Sequence, residues 1–182
     1  MTSRTLTILL RPVSVIALVM IVFVLANAGF RQLEAAAATQ LLHLSGLTET
    51  HRVLLLPGSR IAVFPEAVGP FVAVVTPSCS ALSALLAVAF LAWFGPRGRI
   101  GRRIGALGCA LACVLAGNVL RIAGSIGVGL VHGKASLVLF HDWVGSLFAF
   151  GYTLGGYLLM LFLLLPAPVA VRDGGGAHRV SV

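Results

Sequence analysis

The chain has 182 residues, 59% hydrophobic and 10% charged, which excludes an ordinary soluble domain because most of those apolar side chains would remain on its surface. Its formal net charge of +8 comes from twelve Arg and one Lys against five acids. These cations lie between apolar runs and form no basic face with interleaved aromatics, which argues against nucleic-acid binding. At roughly 20 residues per span, the length fits an all-α integral membrane protein of about four transmembrane helices, with one outer segment between spans one and two.

The first apolar run gives transmembrane helix 1 at 12–30. Arg4 and Arg11 precede it and keep the N-terminus, 1–11, in the cytoplasm. Ala26-Asn27-Ala28 also has the form of a signal-peptidase site, so removal of this helix stays open, and the spans would then number three. Residues 31–76 are the one substantial extracytoplasmic segment, with Glu34, His43, Glu49, His51, Arg52, Arg60 and Glu66. Within it, 35–44 reads as a short amphipathic helix at the interface. The stretch 53–64 reads as a strand-like hairpin around Pro57-Gly58.

The second span starts near Thr76-Pro77 and runs to Phe94, before Gly95-Pro96. Thr76-Pro77 reads as an N-cap followed by proline at the first helical position, which puts Cys79 in the first turn. Unpaired amides and the helix dipole favour a thiolate there. The alternative is that Pro77 kinks a longer helix from near Phe71 and Cys79 is an inert thiol. Arg97, Arg99, Arg102 and Arg103 then fall within seven residues, a basic loop that belongs in the cytoplasm.

The third run, 104–131, is too long for one straight span, and Gly124, Gly127 and Gly129 are expected to end or bend it. Cys109 and Cys113 lie four apart in this run, where small thiols commonly pack buried. With three cysteines in all, no CxxC pair and no histidine at ligand spacing, neither a disulfide framework, a metal nor a cofactor is implied. His132, Gly133 and Lys134 make an outer loop before the fourth span at about 141–165, and 166–182 is a cytoplasmic tail.

An arginine within a span is costly unless it reaches water or a partner, so Arg121 is either a snorkelling anchor or a functional group. At 1.5 Å per residue it lies about 26 Å above the cytoplasmic edge at Ile104, and Cys79 lies about 24 Å above the basic loop. His141 opens span four at the same outer level. A thiol, a guanidinium and an imidazole thus converge in depth, carried by 77–165, and a Cys nucleophile with a His acid or base is the chemistry they suggest. Asn118, one turn before Arg121, and Asp142, beside His141 but about 100° around the helix, are the supporting candidates.

Three segments carry a resemblance: Pro77-Ser78-Cys79-Ser80-Ala81-Leu82, Asn118-Val119-Leu120-Arg121, and Phe140-His141-Asp142-Trp143-Val144-Gly145. In this order and spacing, over roughly 77–165, the chain resembles the exosortase and archaeosortase membrane transpeptidases. The family's usual glycine two residues after the cysteine is Ala81 here, and the chain is shorter than the eight-span members. The resemblance implies Cys79 as nucleophile, Arg121 as stabiliser of substrate or oxyanion, and His141 as general acid or base. It also implies a bacterial plasma membrane setting, and substrates that are secreted proteins with a C-terminal motif, a transmembrane helix and a basic tail. These would be cut at the outer face and passed to an acceptor the sequence does not name. The competing reading is a non-catalytic transport or assembly subunit in which Arg121 is a structural polar anchor.

Overall fold

The computed structural model describes residues 3–46, 52–65, 69–94 and 100–165. Five helices and one small sheet account for most of them: α1 (Ser3–Leu44), β1 (Arg52–Leu56), β2 (Arg60–Phe64), β3 (Phe71–Val74), α2 (Leu82–Phe94), α3 (Ile100–His132), α4 (Lys134–Leu139) and α5 (Gly145–Leu164). A π-helical turn, Phe140–Val144, joins α4 to α5. Arg97, Arg99, Glu49, His51, Glu66 and the tail 166–182 lie outside the described residues.

Three helical stretches are long and apolar enough to cross a membrane: Ile16–Leu44, Ile100–His132 and Lys134–Leu164. They leave Leu18, Leu25, Leu147, Phe150 and Phe162 exposed, a surface suited to lipid. Where about four spans were expected, the second is the short one. The 13 residues of α2 rise about 20 Å, less than the roughly 30 Å of a hydrocarbon core.

The helices also depart from the expected boundaries. Helix α1 does not end near residue 30 but continues to Leu44, because 31–44 holds no Gly or Pro and includes four consecutive alanines, the strongest helix formers. Residues 31–44 of the expected outer segment are therefore helical. The hairpin around Pro57-Gly58 is present, and β3 extends it into an antiparallel sheet in the order β1-β2-β3. Gly58 and Ser59 take left-handed backbone in its turn, and Gln32 Oε1 accepts the Ser59 N–H at 2.6 Å. That Phe71–Val74 is a strand rules out a long helix kinked at Pro77.

Helix α3 is not ended by its glycines and runs unbroken to His132. Gly129 serves close packing, since a Cβ there would lie 2.8 Å from Leu137 and 3.0 Å from the Phe71 ring. The break comes at Gly133, with φ 85°, and helix resumes at once with Lys134. His141 thus lies inside the last membrane-length stretch, not at its start. Cys109 and Cys113 are exposed on the outer side of α3 rather than buried.

Two apolar clusters hold the elements together, as burial of apolar surface requires. In one, Val53, Ile61 and Val63 of the sheet, with Val75 just after it, pack on Ala35, Ala38 and Leu42 of α1 and on Ile122, Ile126 and Leu130 of α3. In the other, Val88 of α2 and Met160 and Leu164 of α5 meet Ala106, Ala110 and Val114 of α3. Small residues let α3 and α5 approach closely. A Cβ on Gly117 would lie 2.6 Å from Tyr152, and one on Gly156 2.7 Å from Val114. At the far end Arg103 donates to Ala92 O at 2.9 Å, and Arg102 to Leu163 O and Leu165 O at 2.7 and 2.8 Å. These two arginines cap the C-termini of α2 and α5. Along α3 the two clusters leave a gap, and Asn118 and Arg121 occupy it.

Candidate active site

Three separate elements deliver Cys79, His141 and Arg121 to that gap. Strand β3 ends at Val74, and after Val75 the chain turns through Thr76-Pro77-Ser78-Cys79, closed by Cys79 N–H donating to Thr76 O at 3.0 Å. Pro77 sits at the second position of this turn, where its fixed φ suits the corner. Helix α2 begins only at Leu82, with the Ser80 hydroxyl accepting the Leu82 N–H at 3.3 Å as its cap. Cys79 is therefore not in the first helical turn but three residues before it. The Ala81 amide, one of the free donors expected to favour a thiolate, is already taken by Glu34.

Other groups act on the sulfur instead. His141 Nε2 is 3.2 Å from Cys79 Sγ, and Thr76 Oγ1 is 3.0 Å from it on another side. Burial pushes the Cys79 thiol up, but the hydrogen bonds to His141 and Thr76 outweigh it and bring the thiol from its ordinary 9.0 down to about 6. With sulfur as thiolate, Thr76 donates to it. The Ser78 hydroxyl, 2.9 Å from Thr76 Oγ1, then donates to Thr76 in turn.

The π-helical turn carries His141. Widening the helix by one residue per turn re-aims its side chains, a distortion often found at functional sites. Asp142, next in sequence, is exposed at the rim of the cleft beside His141, and among the described contacts it makes no hydrogen bond to the imidazole. Gly145, one turn on, leaves room for Arg121: a Cβ there would lie 2.9 Å from Arg121 Nε.

Arg121 is buried, with Nη2 3.4 Å from His141 Nε2 and Nε lacking a hydrogen-bond partner. A neutral imidazole nitrogen has a single lone pair, so Nε2 cannot accept from both the thiol and the guanidinium. Once Nε2 carries the thiol proton it donates to sulfur, and the Arg121 donors are free for another acceptor.

Asn118 does not pair with Arg121 but anchors the cysteine turn. Its Nδ2 donates to Cys79 O at 3.0 Å and to Glu34 Oε1 at 2.7 Å, while Tyr152 donates its hydroxyl to Asn118 Oδ1 at 2.8 Å. Glu34 Oε1 also accepts the Ala81 N–H at 2.9 Å. Asn118 and Glu34 are almost wholly inaccessible, at 0% and 1% exposure. Sequence reasoning assigned no role to Glu34, Tyr152 or Gly145. For Glu34 a signal existed: an acid followed directly by an alanine run is an ionisable residue on a long helix, and such residues need a partner.

Thr76, Ser78, Cys79, His141 and Asp142 line one side of a cleft of about 360 Å³, whose other walls come from β3, α3 and α4. Arg121 does not line it and reaches the site through His141. Among the described residues no cluster of His, Cys, Asp or Glu is arranged to hold a metal ion. Comparison with family models, curated proteins and solved structures finds no match to this chain.

Proposed function

We propose that this chain is a membrane-embedded cysteine transpeptidase or protease that removes C-terminal sorting tails from secreted proteins through a thioester acyl-enzyme. The observation that carries the reading is the 3.2 Å approach of Cys79 Sγ to His141 Nε2, between residues 62 positions apart, on a thiol that titrates at about 6. A buried structural thiol has no need of a depressed pKa. The likeness of the three short segments to exosortases and archaeosortases supports the same chemistry.

In this mechanism the Cys79 proton passes to His141 and the thiolate attacks the scissile carbonyl, forming a C–S bond while the C=O π pair moves onto oxygen. Arg121, released from Nε2, favours the oxyanion by its charge from behind His141, since it does not itself line the cleft. The intermediate collapses, the C–N bond breaks, and His141 returns its proton to the leaving amine. The Arg121 and His141 cations, 3.4 Å apart, repel and favour that return. An acceptor amine, or water in competition, then attacks the thioester and regenerates the thiol.

The setting follows from charge. Arg102 and Arg103 open α3, and with Arg97 and Arg99 they support a cytoplasmic position for that end, by the positive-inside rule. Arg121 lies about 32 Å along the helix from Ile100, which supports a site at the outer face of the membrane, in our reading a bacterial plasma membrane. With α2 as a short fourth crossing, the substrate's tail would lie in the bilayer beside the enzyme. Co-expression with secreted proteins that carry a motif, a transmembrane helix and a basic end tests the reading. Tail removal by the wild type and tail retention with Cys79→Ala is the expected result, and unimpaired removal by the variant contradicts it.

A further inference from the structure

The free edge of β3 faces the cleft and carries the means to recognise an extended peptide. Residues of a strand point alternately to its two faces, yet Phe71, Val72, Ala73, Val74 and Val75 all line the cleft. A cleft over one face would touch every second residue, so this one runs along the strand's edge.

The register says which backbone groups are available there. The Val75 N–H donates to Ser59 O at 2.9 Å, which makes Ser59 and Val75 a hydrogen-bonded antiparallel pair. By alternation Ile61–Ala73 and Val63–Phe71 are hydrogen-bonded pairs as well. The N–H and C=O groups of Val72 and Val74 must then point away from β2, toward the cleft. Since β3 is last in the order β1-β2-β3, no further described strand takes them. Nor is the edge guarded: Phe-Val-Ala-Val holds no lysine, proline or bulge of the kind that blunts exposed edges.

Resting on the transpeptidase reading above, we infer that the segment of the substrate flanking the cut binds as a fourth strand on β3, paired to the backbone of Val72 and Val74. A row of backbone donors and acceptors spaced two residues apart matches another polypeptide strand, whereas a lipid chain leaves it unpaired. The same cleft holds Cys79 and His141, and β3 runs through Val75 and Thr76 straight into the cysteine turn. A strand on this edge thus brings its next peptide bond to the sulfur. Leu137 and Val138 of α4 and Ile126 of α3 form the opposite wall, apolar surface for the side chains.

The test uses the full chain in lipid nanodiscs and a pooled library of random decapeptides, each fused to a transmembrane helix and an Arg-rich tail. Peptides found attached to Cys79 by mass spectrometry are remade as single substrates. Val72→Pro and Val74→Pro remove only the outward N–H groups, which an edge strand tolerates. Each should raise KM by about two- to tenfold, the cost of a lost backbone hydrogen bond, while alkylation of Cys79 by iodoacetamide keeps the wild-type rate. Should either variant fold poorly, wild-type enzyme with substrates N-methylated at one amide at a time gives the same information. Sensitive positions should recur every second residue. Unchanged KM in the variants, or sensitivity without alternation, overturns the strand addition and leaves the transpeptidase reading intact. No peptide on Cys79 of the wild type overturns both.

Discussion

Asn118 Nδ2 donates to Glu34 Oε1 at 2.7 Å, joining two helices through residues 84 positions apart, both of them buried. The same carboxylate oxygen takes the Ala81 N–H, and the same amide holds Cys79 O, so the turn bearing the thiol is fixed from both sides. Glu34→Ala should leave two buried donors unpaired, at about 1–3 kcal/mol each, and lower both thermal stability in detergent and the yield of acyl-enzyme. Glu34→Gln keeps an acceptor oxygen and should recover most of both.

The depressed thiol pKa predicts a pH profile. Above pH 6 the thiolate predominates, so the rate of Cys79 alkylation should rise through pH 6 and level off below the ordinary value of 9.0. His141→Ala removes the larger lowering contact while burial still opposes ionisation. The midpoint should move upward, and the rate at pH 7 should fall by on the order of tenfold or more. An unmoved midpoint would mean that His141 does not hold the thiolate.

Gly145→Ala places a methyl group 2.9 Å from Arg121 Nε and must displace the guanidinium. Turnover should fall by about tenfold or more, as expected when a transition-state group is misplaced, with KM little changed. Cys79 alkylation should stay near the wild-type rate, since the thiol's own contacts to Thr76 and His141 remain.

Tyr152 donates its hydroxyl to Asn118 Oδ1, interacts with Arg121 and packs its ring against Gly117. Tyr152→Phe should cost about 0.5–1.5 kcal/mol, one hydrogen bond. Gly117→Ala should cost more, about 1–3 kcal/mol, by overpacking the contact between α3 and α5. Thermal unfolding of the two variants in detergent distinguishes these effects.

Much of the site was legible in the sequence because depth along a helix follows from residue count alone. Counting from a basic loop was enough to bring Cys79, Arg121 and His141 to one level. Lateral arrangement is not set by counting, so the pairing of Asn118 with Glu34 and Tyr152, in place of Arg121, could be seen only once the helices were packed. Thr76-Pro77 reads as a helix start because proline suits both the first helical position and the second position of a turn. Ser80, equally good as a cap, lies just before the actual start at Leu82. The glycines of α3 misled for a similar reason: glycine permits a bend but also permits contact, and Gly129 is pressed against Leu137 and Phe71. Glu34 falls in the expected outer segment unless the alanine run after it is joined to the helix before it.

The most direct test of the central claim is the covalent state of Cys79 during turnover. Full-length protein in nanodiscs, mixed with a tail-bearing substrate and quenched in acid, should yield a Cys79 peptide carrying the substrate's acyl fragment. Hydroxylamine should release that fragment, and His141→Ala should form little of it. Substrate cleaved while Cys79 stays unmodified throughout, or cleaved equally by Cys79→Ala, would contradict the account.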